Sequence, residues 1–140
     1  MAYRVGLIGA GGAGRKRATA VNSHHSSRLK AVFDLDTAAA QKLAAQTGAT
    51  AAGSWREVVD DPAIDLIVVS TTHDALARLS RAALEAGKHV FVDKPLTVDE
   101  SELAEFMPYL ESGRLMSCSG MRFARELDEL RNDPTSLGEL

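Results

Sequence analysis

Three groups of residues in this 140-residue chain are of types and spacings that can do chemistry. Gly9, Gly11 and Gly14 form a Gly-x-Gly-x-x-Gly turn after a short apolar run, Asp34 ends a second apolar run, and Asp93, Lys94 and Pro95 end a later one. The glycines suit phosphates. Gly9 allows a tight turn out of a strand, Gly11 lacks a Cβ so that the backbone can approach a pyrophosphate, and Gly14 lets a helix pack closely on the strand. A helix opening at Gly12 and Ala13 turns unpaired N–H groups and the positive end of its dipole toward the same phosphates. Asp34 stands 20 residues past Gly14, close to the ~20 expected of an acid that binds a ribose in a dinucleotide fold. A glycine turn alone is common. With a strand before it, a helix after it and the acid in place, it points to nucleotide binding.

The type of dinucleotide follows from charge. Asp34 can accept from both hydroxyls of the adenosine ribose and repels a 2′-phosphate, and Leu35 follows where an NADP site would offer a base or a small polar residue. This favours NAD over NADP. Arg15, Lys16 and Arg17 pull the other way, since a base near the turn could neutralise a 2′-phosphate; they read as a solvated face at the helix start. Thr71 and Thr72 follow a fourth apolar run, with hydroxyls and amides for a diphosphate or ribose, or else serve as turn residues. Lys94, at the end of a central strand and held between Asp93 and Pro95, would project into a ligand crevice. An ammonium there can orient a substrate hydroxyl or stabilise charge as hydride leaves carbon. Taken alone, the tripeptide reads equally as a surface Lys–Asp pair in a turn. Asp74, beside His73, reads as a helix N-cap. His24 and His25 lie in a polar loop, His89 opens a strand, and no Cys/His cluster has metal-ligand spacing.

These residues need elements to position them. Apolar runs at Arg4–Ile8, Leu29–Phe33, Leu66–Ser70, His89–Val92 and Leu115–Ser119 read as strands, with a weak one around Ala49–Ala52. Ala13–Ser23, Thr37–Thr47, Ala75–Ala86 and Asp99–Ser112 read as helices, with a short one at Trp55–Asp60 capped by Ser54. Gly87 and Gly113 close two of them, and Pro108 should kink or shorten the last. Strands alternating with helices over short connections give an α/β fold: a doubly wound parallel sheet of about six strands with helices on both faces. Ligands bind such sheets at the carboxyl ends of the strands, where Gly9–Gly14, Asp34–Asp36, Ser70–Asp74 and Asp93–Pro95 all fall.

Composition sets the class. Hydrophobic residues make up 45% and charged residues 25%, the balance of a globular domain, and 140 residues suit one domain with an adequate core. A net charge of -3 gives no reason to expect a nucleic acid or an anionic membrane as partner. No apolar stretch reaches membrane-spanning length, the N-terminus runs straight into a strand, and the one cysteine, Cys118, reads as a buried thiol. The expected compartment is cytoplasmic. A short-chain dehydrogenase is disfavoured, because Tyr3 and Tyr109 are followed at the Tyr-x-x-x-Lys spacing by Leu7 and Gly113.

The segment Ala83 to Val90, followed by Asp93, Lys94, Pro95, Leu96 and Thr97, closely resembles the Gfo/Idh/MocA (glucose–fructose oxidoreductase / inositol dehydrogenase) family. In that family an A-L-x-A-G-K-H-V segment runs into E-K-P, and G-x-G-G-x-G-R opens the domain. Arg122-Phe123 and Leu137-Gly138-Glu139 match later R-F and L-G-E segments, so the resemblance covers essentially the whole chain. It implies a Rossmann-type domain that holds NAD(P) through Gly9, Gly11, Gly14 and Asp34, with Thr71 nearby. It also implies that Lys94 stands next to the nicotinamide and substrate, that Pro95 fixes the loop, and that Arg122 lies near the next domain. Three positions depart from the family: Asp93 replaces Glu, Thr72 replaces a proline, and Leu76 replaces a histidine near the crevice. Members continue into a second α/β domain that supplies substrate contacts and an oligomer interface. The expectation is therefore a dinucleotide-binding domain over 1–140 without that second domain. It would belong to an oxidoreductase acting on a sugar, inositol or related hydroxyl compound and have little activity alone, and it could self-associate through the uncovered surface. The competing expectation is a free-standing nucleotide-binding or redox-sensing module.

Overall fold

The computed structural model describes residues 2–117 and 119. Cys118, Arg122, Phe123 and the Leu137–Glu139 segment lie outside the described residues. Among the described residues eleven elements alternate: β1 (Tyr3–Ile8), α1 (Gly12–Ser23), β2 (Ser27–Phe33), α2 (Thr37–Thr47), β3 (Thr50–Ala51), α3 (Trp55–Asp60), β4 (Leu66–Val69), α4 (His73–Glu85), β5 (His89–Val92), α5 (Glu100–Glu111) and β6 (Leu115–Ser117). The strands form one sheet in the order β3-β2-β1-β4-β5-β6, and every pairing is parallel. Among the described residues, no helix is long and apolar enough to cross a membrane.

A parallel sheet covered on both faces needs apolar side chains on both, and alternate residues of each strand supply two cores. Val5, Leu7 and Val68 pack with Ala18 of α1 and Leu43 of α2. Ile8, Ile67, Val69 and Val92 pack with Val58 of α3, Leu76 and Leu84 of α4 and Phe106 of α5. The β1–β2 register slips between Val5 and Gly6, where Lys30 is passed over, as at a β-bulge. Lys30 instead reaches Asp61 at 2.8 Å.

Helix ends follow local hydrogen bonding. Ser54 Oγ accepts from the Glu57 amide at 3.2 Å while Glu57 Oε2 accepts from the Gly53 amide at 2.9 Å, a reciprocal cap. Asp36 and Asp99 cap α2 and α5. Beyond α4, Gly87 takes a φ of +82°, and the Gly87 and Lys88 amides donate to the Leu84 and Ala83 carbonyls.

Several boundaries differ from the sequence reading. β2 opens at Ser27 because polar Ser27 and Arg28 pair with Tyr3 and Arg4. α4 opens at His73, so Thr72 is the N-cap and Asp74 sits in the first turn, where its carboxylate lies below the ordinary range beside the Thr72 hydroxyl. β6 ends at Ser117. α5 runs through Pro108 without being shortened: one amide donor is lost, but Ser112 and Gly113 donate to the Pro108 and Leu110 carbonyls and keep the last turn closed.

Candidate functional site

The connections after β1 and β4 leave these neighbouring strands toward opposite faces, which opens a crevice at their carboxyl ends. At Gly9 φ is +106°, and a Cβ there would fall on the Ser70 carbonyl. A Cβ on Gly14 would fall on the Gly9 carbonyl oxygen. Turn and helix therefore close on each other so tightly that only glycine fits at either position. Gly11 and Gly12 differ, because added Cβ atoms there would meet nothing within 4 Å. They face a cavity of about 410 Å³ lined also by Ile8, Gly9 and Ala13. Gly11 is the N-cap of α1 and brings no side chain to bond the first-turn amides, which leaves them for a ligand.

Asp34 forms the wall opposite the helix. Its Oδ2 accepts from the Ala10 amide at 2.6 Å and its Oδ1 from the Asp36 amide at 2.8 Å. Two backbone amides thus fix the carboxylate at the lip of the glycine turn, and each oxygen retains acceptor capacity. Phe33, Leu35, Trp55, Ala75, Arg78 and Leu79 complete the apolar side of the cavity. Leu35 is 93% exposed, and the Arg78 and Arg56 guanidiniums lie 5.7 and 4.5 Å from the Trp55 ring. Ser70, Thr71 and Thr72 supply the polar lining from the end of β4. The buried Ser70 hydroxyl has no hydrogen-bond partner among the described residues, and Thr71 Oγ1 donates to the Thr72 carbonyl at 3.3 Å.

Asp93, Lys94 and Pro95 follow β5, the strand next to β4, and none of them lines this cavity. The Asp93 amide donates to the Val69 carbonyl at 3.0 Å and carries the ladder one residue past the strand. Its Oδ1 accepts from Arg17 Nε at 3.0 Å and from a terminal Arg17 nitrogen at 2.7 Å. Lys94 is exposed and in no ion pair among the described residues, and the Lys94–Pro95 peptide is cis.

A glycine turn into α1, an acid at the end of β2 and an open cavity between them give the 3-2-1-4-5-6 sheet the geometry that a dinucleotide requires. The model of the oxidoreductase family with an NAD-binding Rossmann fold matches residues 3–117. The chain belongs to the Gfo/Idh/MocA family. It is 38% identical over 116 residues to the oxidoreductase YdgJ of Escherichia coli (strain K12), covering 81% of this chain and 33% of that protein. It is 36% identical over 100 residues to the inositol 2-dehydrogenase of Rhizobium meliloti (strain 1021), covering 71% of this chain and 30% of that protein. Among solved structures, biliverdin reductase from Synechocystis sp. PCC 6803, in complex with biliverdin and NADP+, superposes with a TM-score of 0.85 at 28% identity, over 97% of this chain and 43% of its own. The chain spans about a third of the length of the curated relatives it matches.

Within this Gfo/Idh/MocA domain the fold gathers Gly9, Gly11, Gly12, Ala13, Asp34, Thr71 and Thr72 around one cavity, with Gly14 packed behind the turn. Two expectations need correction. Arg17 is not part of a solvated face: the second turn of α1 faces the end of β5, so its guanidinium reaches Asp93 and lies 4.9 Å from the Phe91 ring. Leu76 is fully buried in the core beneath α4 and does not border the crevice. Trp55 and Arg78 escaped the sequence reading. A lone tryptophan after a cap reads as core, and only the neighbouring α4 shows that it borders the site.

A larger cavity, about 720 Å³, lies at the amino ends of the strands between Arg4, Asp65, Lys88 and His89. Its charges are already satisfied. Arg4 Nε and a terminal nitrogen donate to Asp65 at 3.1 and 2.9 Å, and the Arg4 amide adds a third bond at 2.8 Å. The Arg4 side-chain bond chiefly, with its amide, lowers the Asp65 pKa to about 2. Buried Lys88 donates to the Asp61 and Ile64 carbonyls at 2.7 and 2.8 Å.

Proposed function

We propose that this domain binds NAD in preference to NADP, and that the whole protein transfers hydride between the nicotinamide and a sugar, inositol or related hydroxyl compound. The observation that carries the cofactor reading is the Asp34 carboxylate, pinned at the lip of the glycine turn by the Ala10 and Asp36 amides. A carboxylate fixed there accepts from ribose hydroxyls and repels a 2′-phosphate, while Arg17, one of the nearby cations, is committed to Asp93. The open space at Gly11 and Gly12 fits a diphosphate, which the first amides of α1 would hold, with Thr71 and Thr72 at its other side. Leu35, Trp55 and Arg78 offer an apolar and cationic seat for the adenine.

The bound nicotinamide would supply the hydride acceptor or donor. Asp93 and Pro95 would set the loop at the end of β5, and the Lys94 ammonium would donate to the reacting oxygen of the substrate and stabilise charge on it. The name of the inositol 2-dehydrogenase supports a polyol as the substrate class. The test of the cofactor reading is calorimetric titration of the parent and Asp34→Ser with NAD and NADP. Weaker NAD binding and a narrower preference in the variant are expected; unchanged NAD affinity would sink the ribose assignment. Lys94→Ala in the whole protein should spare cofactor binding and abolish turnover, and surviving activity would make Lys94 structural.

A further inference from the structure

Lys94 and the glycine turn belong to different parts of the chain, and one side chain joins them. α1 starts at the glycine turn, and its second turn carries Arg17. Two nitrogens of that guanidinium converge on a single oxygen, Asp93 Oδ1, at 3.0 and 2.7 Å, and the guanidinium lies 4.9 Å from the centre of the Phe91 ring. Contacts on both its nitrogens and its face give the guanidinium a defined position. The Asp93 side chain is 15% exposed, and its other oxygen, Oδ2, is buried with no hydrogen-bond partner among the described residues. Arg17 is therefore the one countercharge of Asp93 among the described residues. Immediately after Asp93 comes Lys94, exposed and in no ion pair there.

We propose that Arg17 is a positioning residue for Lys94: by holding the Asp93 carboxylate from α1, it keeps the neighbouring ammonium free to point into the crevice. This rests on the role given to Lys94 above. Without Arg17, a largely buried carboxylate loses its countercharge, and the nearest cation in sequence is Lys94 itself. The ammonium would turn back to Asp93 and no longer stand free for a substrate. The same link makes α1 a common support for the phosphate turn at its start and for Lys94, so both keep one relative placement across the sheet.

A purely structural staple and a positioning residue differ in what they do to Lys94. The test is competitive labelling of Lys94 with acetic anhydride across pH, read by peptide mass spectrometry on the parent chain, Arg17→Gln and Arg17→Lys, with thermal melts alongside. In Arg17→Gln the Lys94 labelling midpoint should rise by about 0.5–1 pH unit, or roughly three- to tenfold less labelling at a fixed pH below it. Arg17→Lys, which keeps the charge without the fork, should fall between that variant and the parent. An unchanged Lys94 midpoint in a folded Arg17→Gln, with only a lowered melting temperature, would overturn the proposal. Should Arg17→Gln fail to melt cooperatively, Arg17→Lys decides: a raised midpoint supports the proposal and an unchanged one overturns it. NAD titration of the parent runs in parallel. A parent that does not bind NAD would sink the cofactor reading without touching the labelling result.

Discussion

The two ends of this parallel sheet are built to opposite rules. At the amino ends, the larger cavity is bordered by groups that satisfy one another: Arg4 with Asp65, and Lys88 with the Asp61 and Ile64 carbonyls. At the carboxyl ends, the smaller cavity is bordered by helix amides without side-chain caps, an anchored carboxylate with spare acceptor capacity, and a buried serine hydroxyl without a partner among the described residues. Cavity size does not mark the site. Unspent hydrogen-bonding capacity does, because buried polar groups are otherwise paired.

Substitutions at each end should therefore damage different properties. The largest effect is expected from Gly14→Val, which drives a side chain into the Gly9 carbonyl and parts α1 from β1. A stability loss of about 3 kcal/mol or more is expected in chemical denaturation, with NAD binding lost as well. Lys88→Met should cost roughly 1.5–3 kcal/mol of stability, since two carbonyls lose a charged donor, yet leave NAD affinity unaltered once folded. Asp34→Ser should do the reverse, weakening NAD binding about ten- to a hundredfold, or roughly 1.5–3 kcal/mol, with a smaller loss of stability from the freed Ala10 amide. A drop in NAD affinity for Lys88→Met as large as that for Asp34→Ser would erase the distinction between the ends.

The smallest effect concerns acid. Asp65 ionises at about 2 in the folded chain because Arg4 donates to it, and near ~4 in an unfolded one. Its contribution is complete above ~4 and is lost as pH falls from there through about 2, since only the unfolded chain takes up the proton at the upper end of that window. Both side chains are well exposed, so solvent screens the pair and the effect is modest. Acid titration of Arg4→Gln should show a shallower loss of stability across this window than the parent. Parallel curves would mean that the pair contributes nothing.

Much of this division was legible in the sequence, wherever the signal is local. Continuous apolar runs such as Leu66–Val69 announced buried parallel strands, and the glycine spacing with Asp34 pointed to the crevice at the carboxyl ends that these residues line. Pairings across the chain were not legible. Arg17 looked solvated because its partner lies 76 residues away, and the anchoring of Lys88 left no signal because its acceptors are backbone carbonyls that any residue could provide. Even the cap of α4 fell to competition between neighbours: Asp74 is the better capping type, but the helix starts one residue before it, at His73, and Thr72 takes the position.

The most direct measurement is a calorimetric titration with NAD of the parent chain and of Gly11→Ala. Gly11 has a φ of -67°, open to any residue, and an added Cβ meets nothing within 4 Å, so the variant should keep its stability to within about 0.5 kcal/mol. Saturable binding of one NAD to the parent, weakened about tenfold or more in this fully folded variant, is the expected result, because the methyl group would occupy the path of the diphosphate. Equal affinity in the two chains, or no saturable binding by the parent, would contradict a dinucleotide site at the glycine turn.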